Sequence, residues 1–133
     1  ADNAAYDEAT WRARMEAVTY WQGLRDGEAL GMVGLWDPLT NPDELDEAEV
    51  TPFLISMFVR PAARGQGLGA ALVQAVIAEA RARGHRQLVL DVREANEPAK
   101  ALYRAHGFVQ TDDRVPDPGE GGCEVAMVLD LAG

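Results

Sequence analysis

Phe53-Leu54-Ile55-Ser56-Met57-Phe58-Val59 runs into Arg60-Pro61-Ala62-Ala63-Arg64-Gly65-Gln66-Gly67-Leu68-Gly69, and this stretch decides the fold. Its first part is an almost uninterrupted apolar run of strand length, which predicts a strand buried on both faces. After the glycines, Leu72, Val73, Val76, Ile77 and Ala80 recur on one helical face as far as Arg83, and Gly84 stands where a left-handed C-cap residue belongs. Leu88 to Val92 reads as a second buried strand, so the unit is strand, glycine turn, helix and parallel strand, with a right-handed crossover. Glycines at 65, 67 and 69 let successive backbone N–H groups turn inward and form a concave nest for anionic oxygens. The helix that starts there adds its unpaired amides and positive end, and Arg64 adds a formal charge at the mouth. Glycines that merely permit a tight turn remain the plainer reading of the triplet alone.

Upstream, the spacing of Trp11, Met15 and Val18 predicts a short amphipathic helix from Tyr6 to about Val18. Thr19 to Leu24 and Ala29 to Trp36 are extended runs on either side of Arg25-Asp26-Gly27-Glu28, which predicts a hairpin. Asp37 to Thr51, with its prolines and acidic residues, reads as a loop. Downstream, Asn96 caps a helix that tolerates Pro98 in its first turn and ends at Gly107, and a strand begins at Phe108. Val115 to Gly122 reads as a loop and Glu124 to Leu131 as a final strand. The fold class that follows is α/β, a mixed central sheet with helices on both faces, in one domain spanning 1–133.

Composition narrows the function classes. No hydrophobic stretch approaches the ~20 residues that cross a bilayer, so no membrane span is expected. No basic n-region and apolar h-region open the chain, and a cytoplasmic location is the default expectation. The single cysteine, Cys123, cannot form an internal disulfide or a zinc-type spacing; it reads as a small buried hydrophobe, and no metal site is expected. A net charge of −10 argues against nucleic acid or anionic lipid as a partner. Asp37, Asp43, Glu44, Asp46, Glu47 and Glu49 form one acidic cluster, and Asp112, Asp113, Asp117, Glu120 and Glu124 another. Between Val59 and Leu90 the balance reverses, with Arg60, Arg64, Arg81, Arg83 and Arg86 against Glu79, which suits a small polyanion.

Two cofactor templates compete for the glycines. Gly65, Gly67 and Ala70 satisfy the dinucleotide pattern G-x-G-x-x-G/A, with Asp91 near the end of the next strand. The connector from Arg60 to Arg64, which contains Pro61, is too long for that fold, and too few helices follow. The sequence instead resembles the GNAT superfamily of N-acetyltransferases. Val59 to Gly69 matches the family's V-x-P-x-x-R-G-x-G-x-G element; Asn96-Glu97-Pro98-Ala99-Lys100-Ala101-Leu102-Tyr103 with Gly107-Phe108 matches N-x-x-A-x-x-L-Y followed by G-F. The two lie in the family's order and separation, over roughly residues 53–109.

The resemblance implies splayed central parallel strands, an antiparallel N-terminal hairpin, a C-terminal strand pair, and acetyl-CoA as acyl donor. It implies that the pantetheine arm lies along Met57, Phe58 and Val59, and that the pyrophosphate lies on Arg64, Gly65, Gln66, Gly67, Leu68 and Gly69, with Ala70 following. A backbone amide near Met57 would polarise the thioester carbonyl, and the acceptor amine would attack directly in a ternary complex. Asn96, Ala99, Lys100 and Tyr103 complete the implied cofactor-binding set; Lys100, the only lysine, or Arg104 reaches a phosphate unless both are solvated surface charge. Tyr103 would be the general acid for the departing thiolate, against the alternative of a core aromatic that only packs.

The chain also departs from the pattern. Where many relatives place a glutamate early in the strand at Phe53, this chain is apolar, which leaves Glu49, Asp91 and Glu94 as candidate bases and Ser56 as a residue that orders a water. The family opens with a strand and a helix before the hairpin, whereas one helix is readable before Thr19; an abbreviated member or absent upstream residues would account for this. The acidic clusters favour a cationic primary amine if they border the acceptor cleft, and Trp21 and Trp36 either line that cleft or pack. A homodimer is compatible with the family. A non-catalytic acyl-CoA sensor and a dinucleotide-binding domain stay open as alternatives.

Overall fold

The computed structural model describes residues 18–37, 51–116 and 122–131. Its elements are β1 (Val18–Arg25), β2 (Glu28–Trp36), β3 (Phe53–Val59), a 3₁₀ turn (Pro61–Ala63), α1 (Leu68–Ala82), β4 (Gln87–Arg93), α2 (Glu97–Ala105), β5 (Val109–Pro116) and β6 (Cys123–Asp130). The helix expected over 6–18 lies outside the described residues, except that Val18 opens β1 instead. The loop expected over 37–51, Glu49 with it, and any strand before the hairpin also lie outside them, apart from Asp37 and Thr51.

Six strands form one sheet in the order β1-β2-β3-β4-β6-β5. β1 and β2 close through Asp26 (φ 52°) and Gly27 (φ 81°), with Arg25 opposite Glu28. Positive φ at both central residues is what a two-residue hairpin turn requires. β3 and β4 are parallel, and the other neighbouring strands are antiparallel. This is the mixed α/β sheet that the two motifs imply. It is not the mainly parallel sheet that the dinucleotide template needs.

α1 lays Leu72, Val73, Val76, Ile77 and Ala80 into a core shared with Val33, Leu35, Leu54, Leu88, Leu90 and Val92. Burial of each large aliphatic side chain contributes about 1.5–3 kcal/mol, so this stripe fixes the helix over the sheet. Both helices end in the same way. At α1, Gly84 (φ 85°) lets His85 N–H reach Ala80 O at 3.1 Å and its own N–H reach Arg81 O at 2.9 Å. At α2, Gly107 (φ 99°) brings Phe108 N–H to Tyr103 O at 3.1 Å, while its own N–H meets Arg104 O at 3.0 Å. Both are Schellman caps, which satisfy carbonyls that a helix end otherwise leaves open.

Three readings of the sequence are corrected. β3 is not buried on both faces: Leu54 is buried, but Ser56 and Phe58 are exposed. β4 is buried on one face only, with Leu88, Leu90 and Val92 inward and Asp91 and Arg93 outward. Unbroken apolarity signals burial, but it cannot say which side carries it. Val115 and Pro116, read as loop, extend β5 opposite Glu124 and Cys123, so Cys123 is half-buried at the start of β6. Among the described residues no helix is long and apolar enough to cross a membrane, and no group of His, Cys, Asp and Glu is arranged to hold a metal ion.

Candidate active site

The site is built on a fault in β3. Gly31 pairs with Val59 and Met32 with Phe58, yet Gly34 pairs with Ile55, so Val33 faces both Ser56 and Met57. Ser56 takes φ 57°, a left-handed conformation uncommon for a residue other than glycine, and absorbs the extra position as a β-bulge. The bulge resets the alternation. Leu54 points to the core before it, and Met57 and Val59 pack against the core after it, whereas an unbroken strand would have sent Ser56 and Phe58 inward.

β3 also parts from β4. Their parallel ladder holds one pair, Phe53 with Val89, supported by Val89 N–H donating to Pro52 O at 3.1 Å. On the other side of β3, Arg60 N–H donates to Leu30 O at 2.8 Å, which fixes the phase of the antiparallel ladder. By alternation Phe58 turns its backbone groups towards β2, and Met57 and Val59 turn theirs towards the gap left by β4. Arg64 Nε donates to Val59 O at 3.0 Å, in agreement with that phase. A wedge with unpaired strand backbone on one wall therefore opens above Phe53.

The glycine turn lies at the end of that wall. Gly65 (φ 79°) and Gly67 (φ 85°) are left-handed, and a Cβ on either would meet nothing within 4 Å, so the turn is conformationally demanding and sterically open. Gly67 is the N-cap of α1 and offers no side-chain cap, and no acid stands in the first turn. The first α-helical bond there is Ala71 N–H to Gly67 O at 3.1 Å, which leaves the amides of Leu68, Gly69 and Ala70 without intrahelical acceptors. Gly69 serves packing: its missing Cβ would lie 3.3 Å from Leu102 and 3.9 Å from Val59, so α2 and β3 close on the start of α1 there.

α2 carries the second motif and packs through Leu102 on Gly69 at the start of α1. Asn96 Oδ1 accepts from Ala99 N–H at 3.2 Å, which caps the helix as expected, and Ala99 packs against the core. Tyr103 is buried, and its ring meets Phe108 edge-on with centroids 5.8 Å apart. That contact joins the two ends of the Schellman cap, so Gly107-Phe108 fixes where the phenol sits. Burial pushes the Tyr103 phenol above its ordinary value of 10.0, so it stays protonated through neutral pH.

Other candidates are placed differently. Lys100 is buried, with Nζ donating to Glu94 O at 2.9 Å and to Glu97 Oε1 at 3.2 Å, so its ammonium holds the turn before α2. Arg104 is exposed and contacts Gln110 Oε1 at 3.5 Å. Asp91 is exposed on the face away from Leu88 and Leu90, and Glu94 pairs with Arg114 Nε at 2.6 Å. Trp21 packs against the core, and Trp36 stacks edge-on with Phe53 at 6.0 Å. Asp37, counted with the first acidic cluster, is buried and bound to Arg83 and His85. Arg25 was missed by sequence reasoning; its Nη2 donates to Gln66 Oε1 at 2.9 Å, across 41 positions that no local pattern connects.

Comparison with known proteins agrees with this fold. The chain matches the acetyltransferase (GNAT) family over residues 2–108. It belongs to that family. It is 40% identical over 88 residues to the [ribosomal protein bS18]-alanine N-acetyltransferase of Escherichia coli (strain K12), covering 65% of this chain and 57% of the relative. It is 33% identical over 102 residues to the aminoglycoside N(6')-acetyltransferase type 1 of Stenotrophomonas maltophilia, covering 75% of this chain and 65% of the relative. The chain thus spans 57% and 65% of the lengths of these two curated relatives. A Salmonella typhimurium protein solved with its cofactor acetyl-CoA superposes with a TM-score of 0.72 at 26% identity, covering 98% of this chain and 73% of that one.

Proposed function

We propose that this GNAT-family chain transfers an acetyl group from acetyl-CoA to a primary amine by direct attack within a ternary complex. The observation that carries the proposal is the wedge: a bulged β3, joined to β4 at one pair, runs into an open glycine turn at the start of a helix. An extended pantetheine amide needs strand-like backbone partners along its length. A diphosphate needs convergent N–H donors at its end, and the two stand in line here. The turn fits that group because it has room, amides without intrahelical acceptors, and Arg64 beside it.

In this reading the backbone of Met57 and Val59 orients the thioester, and an amide at the bulge stabilises negative charge on its carbonyl oxygen. The amine nitrogen bonds to the carbonyl carbon as the carbon–sulfur bond breaks. Tyr103 donates its proton to the leaving thiolate, and the nitrogen releases its surplus proton to water or to a carboxylate at the cleft. The E. coli relative acts on an alanine and the Stenotrophomonas relative on an aminoglycoside, and an amine acceptor here is the chemistry they share.

Thermal-shift titration with acetyl-CoA, longer acyl-CoAs and NAD(P), followed by thiol release across an amine panel, tests the proposal. Stabilisation grows with the logarithm of ligand excess, so acetyl-CoA should raise Tm and NAD(P) should not. CoA binding without thiol release from any amine would move the chain to a sensor role. Protection by NAD(P) alone would sink the assignment.

A further inference from the structure

The tip of the β1–β2 hairpin is fastened to the glycine turn by three independent contacts. First, Gly23 and Gly31 face each other across the hairpin and leave a hollow for Leu68, the first residue of α1. A Cβ on Gly23 would fall 2.3 Å from Leu68 Cδ1, and one on Gly31 would fall 2.8 Å from the Phe58 carbonyl oxygen. Second, Glu28 beyond the turn pairs with Arg60 of the connector. Third, Arg25 donates to Gln66 Oε1 at 2.9 Å, while Gln66 Nε2 donates back to Ala62 O at 3.3 Å. The hairpin tip therefore forms a wall of the turn in a fixed position.

The charges at this wall are not equivalent. Arg60 is neutralised by Glu28. Arg25 and Arg64 instead donate to neutral oxygens, an amide and a carbonyl, and among the described residues neither has a carboxylate partner. Both are exposed, in a protein of net charge −10. A guanidinium carries five N–H donors in a planar fork suited to phosphate oxygens, and Arg25 uses one of them on Gln66.

We propose that Arg25 is a second phosphate-recognition residue for CoA, delivered from the hairpin to the outer side of the turn, where it takes an oxygen of the diphosphate or of the ribose 3'-phosphate. The proposal rests on the CoA reading above. Gln66 acts as the positioning residue, because its amide holds the guanidinium beside the turn without neutralising it. Arg25 would then act on donor binding and not on the acyl-transfer step.

Calorimetric titration of the wild-type chain and the Arg25→Ala, Arg25→Lys and Arg86→Ala variants with CoA and 3'-dephospho-CoA tests this, with ligand-observed NMR for pantetheine. Arg25→Ala should weaken CoA about 10-fold, the scale of one charge-assisted hydrogen bond, and leave pantetheine binding and the melting temperature unchanged. Arg25→Lys should recover part of the loss, and Arg86→Ala should match wild type. A loss for CoA alone assigns Arg25 to the 3'-phosphate, and an equal loss for both nucleotides assigns it to the diphosphate. Undiminished CoA affinity in Arg25→Ala, or a matching loss for pantetheine, would overturn the proposal. Failure of the wild-type chain to bind CoA at all would instead overturn the reading on which it rests.

Discussion

The two ends of α1 are made from the same kinds of residue and do opposite things. Its C-terminal end is closed: Asp37 accepts from Arg83 at 3.0 Å and bonds His85 at 2.9 Å, while Arg83 also donates to Glu79 and Thr19. The side chains of Asp37 and His85 are each 6% exposed, and the Schellman cap at Gly84 delivers His85 to this cluster. Its N-terminal end is open, with no side-chain cap, no acid in the first turn, and arginines bound to neutral oxygens. Polar groups that are all answered hold a fold together. Polar groups left unanswered at a surface of fixed shape are what a ligand can use.

The largest expected effect breaks the closed end. Asp37→Ala removes the acceptor shared by Arg83 and His85 and leaves the buried His85 ring without it, while Arg83 keeps Glu79. Loss of one partner in such a cluster costs about 3 kcal/mol. Urea unfolding should show that loss in the midpoint, with acetyl-CoA affinity unchanged at a temperature where the variant is folded. A CoA affinity that fell along with stability would mean the two ends are coupled.

In the second motif and at the open end the stability and activity effects exchange places. Tyr103→Phe keeps the ring against Phe108 and deletes only the hydroxyl, so the cap and core should persist. If the phenol is the proton donor, kcat should fall about 100-fold with little change in CoA affinity. Equal turnover in the two proteins would leave Tyr103 as a packing residue. Gly67→Ala has room for its methyl group but must hold φ near 85°, at a cost of about 1–2 kcal/mol. The expected outcome is a turn that relaxes, with CoA affinity about 10-fold weaker, or about 1.4 kcal/mol. Full affinity in that variant would show that the turn needs no left-handed residue there.

This contrast also explains which features could be read before the structure. The strand, turn and helix from Phe53 to Ala82 were legible because apolar period, glycine placement and cap chemistry are local signals that agree. Asn96, Pro98 and Gly107 announced α2 for the same reason. The bulge at Ser56 was not legible, since Phe53 to Val59 is apolar enough to satisfy either phase of the strand. Gly84 was readable as a cap, but its delivery of His85 to Asp37 across 48 positions was not. Arg25 was hidden for the same physical reason. Its place beside Gln66 depends on the Gly23–Gly31 hollow that seats Leu68, which only the folded hairpin creates.

The smallest effect sharpens the role of burial at Tyr103. Desolvation raises its folded-state pKa above the ordinary value of 10.0, which the unfolded chain should keep. Below about pH 10 the phenol is neutral in both states, and its burial costs no proton. As pH rises above that value the unfolded chain ionises first, so stability is lost progressively through the folded-state pKa. Tyr103→Phe lacks this linkage. The unfolding free energies of the two proteins should therefore run parallel from neutral pH to about pH 10 and then converge or cross, with wild type falling faster. Parallel curves throughout would mean that the hydroxyl is as well solvated in the fold as in water. A phenol in that state would not be the buried group that its packing against Phe108 implies, whereas a steeper fall of the wild-type curve above about pH 10 would show that the hydroxyl is desolvated in the fold.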